Sequence, residues 1–215
     1  MRLLAPLLLL VLVALAAAGC GGGPLVSQTR EVAPFERIEV DSSVNVEVVP
    51  GGSRDVVVSA GENVIDRVST DSSDGVLHVS IRDHGIVIGP DPYDDARVQV
   101  SADTLRGLRV VGSSDLRIGR VDTDELTIEI EGSGDIEAAG TVGNLIATIQ
   151  GSGDADLSDL EAHTARVSVE GSGDAQVNVS DQLDVTVQGS GDVSYRGRPR
   201  VSQNVAGSGE VHADG

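Results

Sequence analysis

The run Leu126-Thr127-Ile128-Glu129-Ile130-Glu131-Gly132-Ser133-Gly134-Asp135-Ile136-Glu137-Ala138 decides the fold. Leu126, Ile128 and Ile130 alternate with polar residues up to a Gly-Ser-Gly-Asp tetrapeptide, and the alternation resumes at Ile136 and Ala138. A period of two describes a strand with one buried face. The tetrapeptide returns at Gly151 to Asp154, Gly171 to Asp174 and Gly189 to Asp192. Variants flank the series, Gly112-Ser113-Ser114-Asp115 before it and Gly207-Ser208-Gly209-Glu210 after it, so successive starts lie 20, 19, 20, 18 and 18 residues apart. Such a period belongs to stacked structural repeats.

Aligned on the first glycine, the flanks fall into columns. Val110, Ile130, Ile149, Val169, Val187 and Val205 stand two residues before it, and Leu108, Ile128, Ala147, Val167, Val185 and Gln203 four before. Leu116, Ile136, Ala155, Ala175, Val193 and Val211 stand four after, followed by Ile118, Ala138, Leu157, Val177, Tyr195 and Ala213. One strand-turn-strand unit cannot bury its own apolar face, but stacked copies lay valine on isoleucine in continuous interior ladders. The columns predict an all-β fold, a right-handed parallel β-helix with coils of about 19 residues, about 4.8 Å apart. A β-sandwich gives no reason for one tetrapeptide in every coil. Eleven of the 27 glycines lie in these six motifs, which marks them as architecture. Gly132, Gly134, Gly151, Gly153, Gly171, Gly173, Gly189 and Gly191, with Asp135, Asp154, Asp174 and Asp192, are the expected structural corners, where glycine supplies positive φ.

Residues 32–103 alternate in the same way, in Phe35 to Val40, Val44 to Val48 and Val76 to Ile81, between irregular turns. They read as imperfect first coils or a capping sheet. The insertion His84 to Asp95 reads as a surface loop.

Charge and composition exclude several functions. The chain of 215 residues has 15 arginines, no lysine and 34 acids, for a net charge of −19, and its aromatics are Phe35, Tyr93 and Tyr195 alone. That field repels nucleic acid, and stacking platforms for bases are missing. The serines of the corners are not a Gly-x-Ser-x-Gly nucleophile elbow, and His78, His84, His163 and His212 are scattered. Catalysis needs unlike groups at one point, whereas this chain repeats like groups along a line. No catalytic residue and no cofactor is expected. A polysaccharide-active enzyme is the alternative, on fold analogy alone.

The aspartate column raises the question of calcium. Carboxylates 4.8 Å apart repel by about 1 kcal/mol in water and about 3 kcal/mol at an effective dielectric near 20, so solvent, corner N–H groups or a cation must offset them. Asp135, Asp154, Asp174 and Asp192 are the calcium candidates. The favoured reading is turn capping through a side-chain bond to backbone two residues on, because calcium repeats of the β-helix type supply more oxygens per coil. Tyr93, in the insertion, is the candidate for a partner contact, while Tyr195 is expected to fill the last coil.

Residues 1–19 carry Arg2, an apolar run from Leu3 to Leu15 and a small-residue end, which is an export signal. Ala17-Ala18-Gly19-Cys20 resembles a bacterial lipobox, and lipidation accounts for the one cysteine of the chain. The expected organisation is a lipoprotein signal (1–19), a flexible tether (20–31) and a single β-helix domain (32–215), lipid-anchored through Cys20 on the extracytoplasmic face of a bacterial membrane.

Pro34-Phe35-Glu36-Arg37-Ile38-Glu39-Val40, Asp71 to Val79 and the Gly-Ser-Gly-Asp series together resemble the putative auto-transporter adhesin head domain family. The resemblance covers about residues 32–213. It implies a β-helix of the pectin-lyase-like type in a surface or periplasmic protein, often a lipoprotein, and no reaction. Together these readings describe a non-enzymatic envelope, adhesion-like or scaffold module. At its C-terminal end the last coil keeps an open edge. Net charge and Pro199, which removes a ladder donor, favour a monomer over end-to-end association.

Overall fold

A computed structural model describes residues 23–51, 55–82, 92–102 and 104–214. It is all-β, with one short 3-10 turn at Ile65–Arg67, and forms a parallel β-solenoid of about five turns with about 20 residues per turn. Fifteen strands follow in chain order: β1 (Leu25–Arg30), β2 (Arg37–Ser42), β3 (Asn45–Val49), β4 (Val56–Gly61), β5 (Val68–Ser73), β6 (Val76–Ile81), β7 (Arg97–Ser101), β8 (Gly107–Gly112), β9 (Leu116–Gly132), β10 (Ile136–Gly151), β11 (Ala155–Gly171), β12 (Ala175–Gly189), β13 (Val193–Gly197), β14 (Arg200–Gly207) and β15 (Val211–Ala213).

The regular coils are built as the alternation predicts. β9 to β12 each cross from one face of the solenoid to the other, and the tetrapeptide then joins each strand to the next. Cα partners follow the columns: Ile130 on Ile149 on Val169 on Val187, and Ile136 on Ala155 on Ala175 on Val193. Every one of these side chains is buried, whereas Glu170 between Val169 and Gly171 is exposed. The apolar stack runs uninterrupted through the molecule as one core.

The unequal spacings are absorbed on one side only. β9 and β10 pair with an offset of 20 at Leu116↔Ile136 and 19 at Gly132↔Gly151, and the shift falls between Ala138 and Gly140. β11 and β12 pass from an offset of 20 at Ala155↔Ala175 to 18 at Gly171↔Gly189, with the slip between Leu157 and Thr164. The slips lie in mid-strand, where a bulge can take up an extra residue, and the tetrapeptides stay in register.

The N-terminal part departs from sequential stacking. β2 lies between β6 and β8, all parallel, and β3 lies between β7 and β9. The coil made by β6 and β7 therefore stacks outside the coil made by β2 and β3, although it comes later in the chain. Antiparallel strands close that end: β4 on β7, β1 on β4, and β5 on β6. Imperfect coils and a capping sheet are thus both present.

Two expectations are corrected here. The tether ends earlier than residue 31, because Leu25–Arg30 is strand β1, held by ladder pairs to Val56–Gly61 and by Ser27 Oγ at 2.8 Å from Ser59 Oγ. Its partner strand would otherwise be an open edge. Tyr93 is not a surface contact: it is 5% exposed within the core, in a turn closed by the Ala96 N–H donating to the Tyr93 carbonyl at 2.8 Å. A ring of that size is worth most when buried. His84, Cys20 and the proposed signal lie outside the described residues.

Candidate functional site

The tetrapeptides line up along one edge of the solenoid. Their first glycines hold φ between +133° and +150° from Gly132 to Gly207. The second glycines do not take positive φ and answer only to close approach of the neighbouring coil, which the first glycines meet as well. A Cβ on Gly153 would lie 2.1 Å from the Gly134 carbonyl oxygen, and one on Gly173 2.0 Å from that of Gly153, so these residues are glycine because the neighbouring coil's backbone passes against them. In the first motif Ser114 takes this place. It faces the dissimilar β2–β3 coil, is fully buried, and donates to the Ser42 carbonyl at 2.6 Å.

The aspartates form a ladder between coils. The Asp154 N–H donates to Asp135 Oδ1 at 2.9 Å, the Asp174 N–H to Asp154 Oδ1 at 2.8 Å, the Asp192 N–H to Asp174 Oδ1 at 2.7 Å, and the Glu210 N–H to Asp192 Oδ1 at 2.8 Å. The bond expected within each turn is not the one these aspartates make. The bond goes to the next coil, 18 to 20 residues on, rather than two residues on within the same turn. A hydrogen bond to a charged acceptor contributes about 1.5–3 kcal/mol. That exceeds the repulsion of about 1 kcal/mol between exposed carboxylates, so these bonds are sufficient in size to offset it. Among the described residues no three acids, histidines or cysteines are placed to share a metal ion.

The ladder begins earlier than its sequence signature. The Asp115 N–H donates to Asn45 Oδ1 at 3.2 Å and the Asp135 N–H to Asp115 Oδ1 at 3.3 Å. Ser42-Ser43-Val44-Asn45 thus supplies a further rung of the ladder, missed because 70 residues separate Asn45 from Asp115. The columns carry the signal that finds it: Ile38 and Val40 stand four and two before Ser42, and Val46 and Val48 four and six after.

Outward-facing charges pair across the early coils. Arg109 Nη2 donates to Glu131 Oε1 at 2.8 Å, which raises the arginine's affinity for its proton. Arg117 Nη2 donates to Glu137 Oε1 at 2.9 Å, with a second bond from Nε, and the hydrogen bonding followed by the charge of Arg117 holds the Glu137 carboxyl below the ordinary glutamate range. Asp71 is lowered first by its hydrogen bond from Ser69 and then by that from Arg82. Three surface depressions open beside these charges. One of about 360 Å³ lies beside Arg37, Asp74 and Arg106, one of about 370 Å³ beside Arg109 and Glu129, and one of about 440 Å³ beside Arg97, Arg117 and Glu137. Arg106 pairs with Glu36 at 3.3 Å, so these walls carry mutually satisfied surface ion pairs. The tetrapeptide serines, Ser133, Ser152, Ser172, Ser190 and Ser208, are exposed in a row, and among the described residues none of them is hydrogen-bonded to a histidine.

No curated protein matches the chain. Several solved structures share its fold. An adhesin-type protein from Bacteroides fragilis NCTC 9343, described as a "putative adhesin", superposes with a TM-score of 0.72 at 22% identity, covering 88% of this chain and 97% of that one. A "putative lipid binding protein" from Parabacteroides distasonis ATCC 8503 gives 0.56 at 20% identity, covering 89% and 97%. A "putative adhesin" from Parabacteroides merdae ATCC 43184 gives 0.54 at 18%, covering 91% and 98%. A family model matches residues 34–199, from Pro34 ahead of β2 to Pro199 between β13 and β14, so the chain belongs to the family described as "Putative auto-transporter adhesin, head GIN domain".

Proposed function

We propose that this chain is a non-enzymatic, adhesion-like or scaffold module of the bacterial cell envelope, anchored by a lipid on Cys20 and built as a right-handed β-helix with Gly-Ser-Gly-Asp corners. The observation that carries the reading is the uniformity of the stack. Four interior columns and one aspartate row repeat the same residue type at the same place in each coil. A rigid rod with a long, regular polar flank suits multipoint contact or spacing, whereas a reaction centre gathers unlike groups. The family's description names adhesion and no reaction, and supports surface or exported placement. The apolar run and Ala17-Ala18-Gly19-Cys20 support the anchor.

Membrane fractionation with radiolabelled fatty acid tests the anchor. The wild-type chain takes up label and pellets with membranes, and Cys20→Ser abolishes the labelling. A wild-type chain that takes up no label removes the anchor. Cells with and without the chain, compared for retention on glycan-coated and protein-coated surfaces, test adhesion, and equal retention leaves only the scaffold role.

A further inference from the structure

The last turn presents an edge unlike any other part of the molecule. β14 pairs β12 along one side, and among the described residues no strand pairs its other side. All eight of its residues are exposed. Val201 and Val205, 37% and 39% exposed, are the only large apolar side chains of the described residues left exposed, and both continue interior columns, Val201 on Leu183 and Val205 on Val187. Gln203, between them, lies on Val185. The strand is thus symmetric in residue type about Gln203: valine two residues to either side, with Ser202 and Asn204 between.

We infer that this edge is a self-complementary docking surface whose occupant is the same edge of a second copy, joined antiparallel about a two-fold axis at Gln203. In that register Val201 of one copy lies opposite Val205 of the other, twice, and the two Gln203 residues face each other. Cross-strand apolar pairs on one face are the unit from which a sheet gains stability. An isologous contact of this kind closes at two copies.

Charge favours the same arrangement. Arg196 near the end of β13, Arg198 in the link and Arg200 at the start of β14 are exposed, and no ion pair engages any of them among the described residues, although the chain carries 34 acids. Exposed Glu210 stands beyond the other end. Antiparallel docking sets the arginine end of each copy beside the Glu210 end of the other. Parallel continuation would stack arginine on arginine. An eight-residue edge is far smaller than a standard stable interface, and two chains of charge −19 repel, so the contact is weak and concentration-dependent. On this proposal the chain is monomeric when dilute, and the pair forms as its local concentration rises.

Cysteine cross-linking of the full-length chain in its own membranes tests the geometry. Directly opposed residues of an antiparallel pair have Cα atoms about 4.5–5.5 Å apart, within disulfide range, whereas residue 202 faces residue 204 of the partner and its own counterpart lies well beyond. Under mild oxidation Gln203→Cys forms dimers about tenfold faster than Ser202→Cys or the wild-type chain, whose one cysteine, Cys20, has no free thiol once it carries lipid. Adding Val205→Lys to Gln203→Cys removes the excess, and Val205→Leu keeps it. Equal rates at 202 and 203, or a Gln203→Cys rate indifferent to Val205→Lys, would overturn the proposal.

Discussion

Replacing Gly153 by alanine adds one methyl group, and the structure states where it goes. The new Cβ would lie 2.1 Å from the Gly134 carbonyl oxygen and 3.0 Å from Ile130 Cγ2. The first contact is about 1 Å inside any sustainable approach and is to backbone, which cannot swing aside as a side chain could. Two coils must separate locally. Four bonds cross that seam beside Gly153: the Ser152 and Gly153 N–H groups to the Gly132 carbonyl at 2.8 and 3.2 Å, the Asp154 N–H to Asp135 Oδ1 at 2.9 Å, and the Ile136 N–H to the Asp154 carbonyl at 2.9 Å. Displacement in a packed site costs about 1–3 kcal/mol, and losing two of the bonds adds about 1 kcal/mol each. The expected loss is about 3–5 kcal/mol. Gly75→Ala serves as control, because Gly75 sits at φ +76° with no heavy atom within 4 Å of its Cβ position. It incurs only the conformational cost of a left-handed residue, about 1–2 kcal/mol. Equilibrium denaturant unfolding followed by circular dichroism reads both variants. Because a solenoid holds together through nearest-neighbour interfaces, the Gly153 variant also separates into two transitions. If Gly153→Ala loses no more than Gly75→Ala, close backbone stacking is not why the second glycine is there.

Three further outcomes follow from the same geometry. Val169→Asp places an unpaired charge in a column where the native side chain is fully buried, and a denaturant melt shows a loss of several kcal/mol; an unchanged melt rejects the register. Asp154→Asn keeps the Oδ1 acceptor and relieves repulsion, as Asn45 does naturally, so its thermal midpoint stays near wild type while Asp154→Ala loses about 1–2 kcal/mol. If Asn is as damaging as Ala, or if a chelator lowers the wild-type midpoint, a cation holds the row instead. Glu137 has its carboxyl depressed by Arg117, so its contribution is present above the ordinary glutamate pKa near 4.3 and is lost as pH falls through the lower folded value; Glu137→Gln flattens the fall in midpoint below about pH 4.5, and an identical acid profile in both chains removes the pair from the account.

The regular coils were legible because two independent signals coincide in them, the alternation of Ile128, Ile130, Ile136 and Ala138 and the tetrapeptide they enclose. Strand alternation assigns faces, and the repeat assigns neighbours. In residues 50–106 the second signal fails, and with it went the order of stacking: nothing local in Val76 to Ile81 says that it pairs Arg37–Asp41 on the outside. The antiparallel placement of β1 and Tyr93's burial depend on what needs covering at that end, which is known only once the coils are stacked. For the candidate site, residue types were readable and bond partners were not. An aspartate in a turn can cap its own backbone or that of the next coil, and only the register decides.

The one-sided absorption of coil length divides the molecule into a ruled margin and a free margin. Along the ruled margin each glycine and aspartate meets its counterpart, and a residue gained or lost there would shear every rung beyond it. On the opposite side, six residues lie between Leu157 and Thr164 and four between their partners Val177 and Gln182, a difference of two that leaves the pairing of Gly171 with Gly189 undisturbed. Insertions and grafted loops are therefore tolerated on that side, where they can be spaced along the rod at the pitch of the coils. A chain of this kind can change what it presents while keeping its backbone frame unaltered.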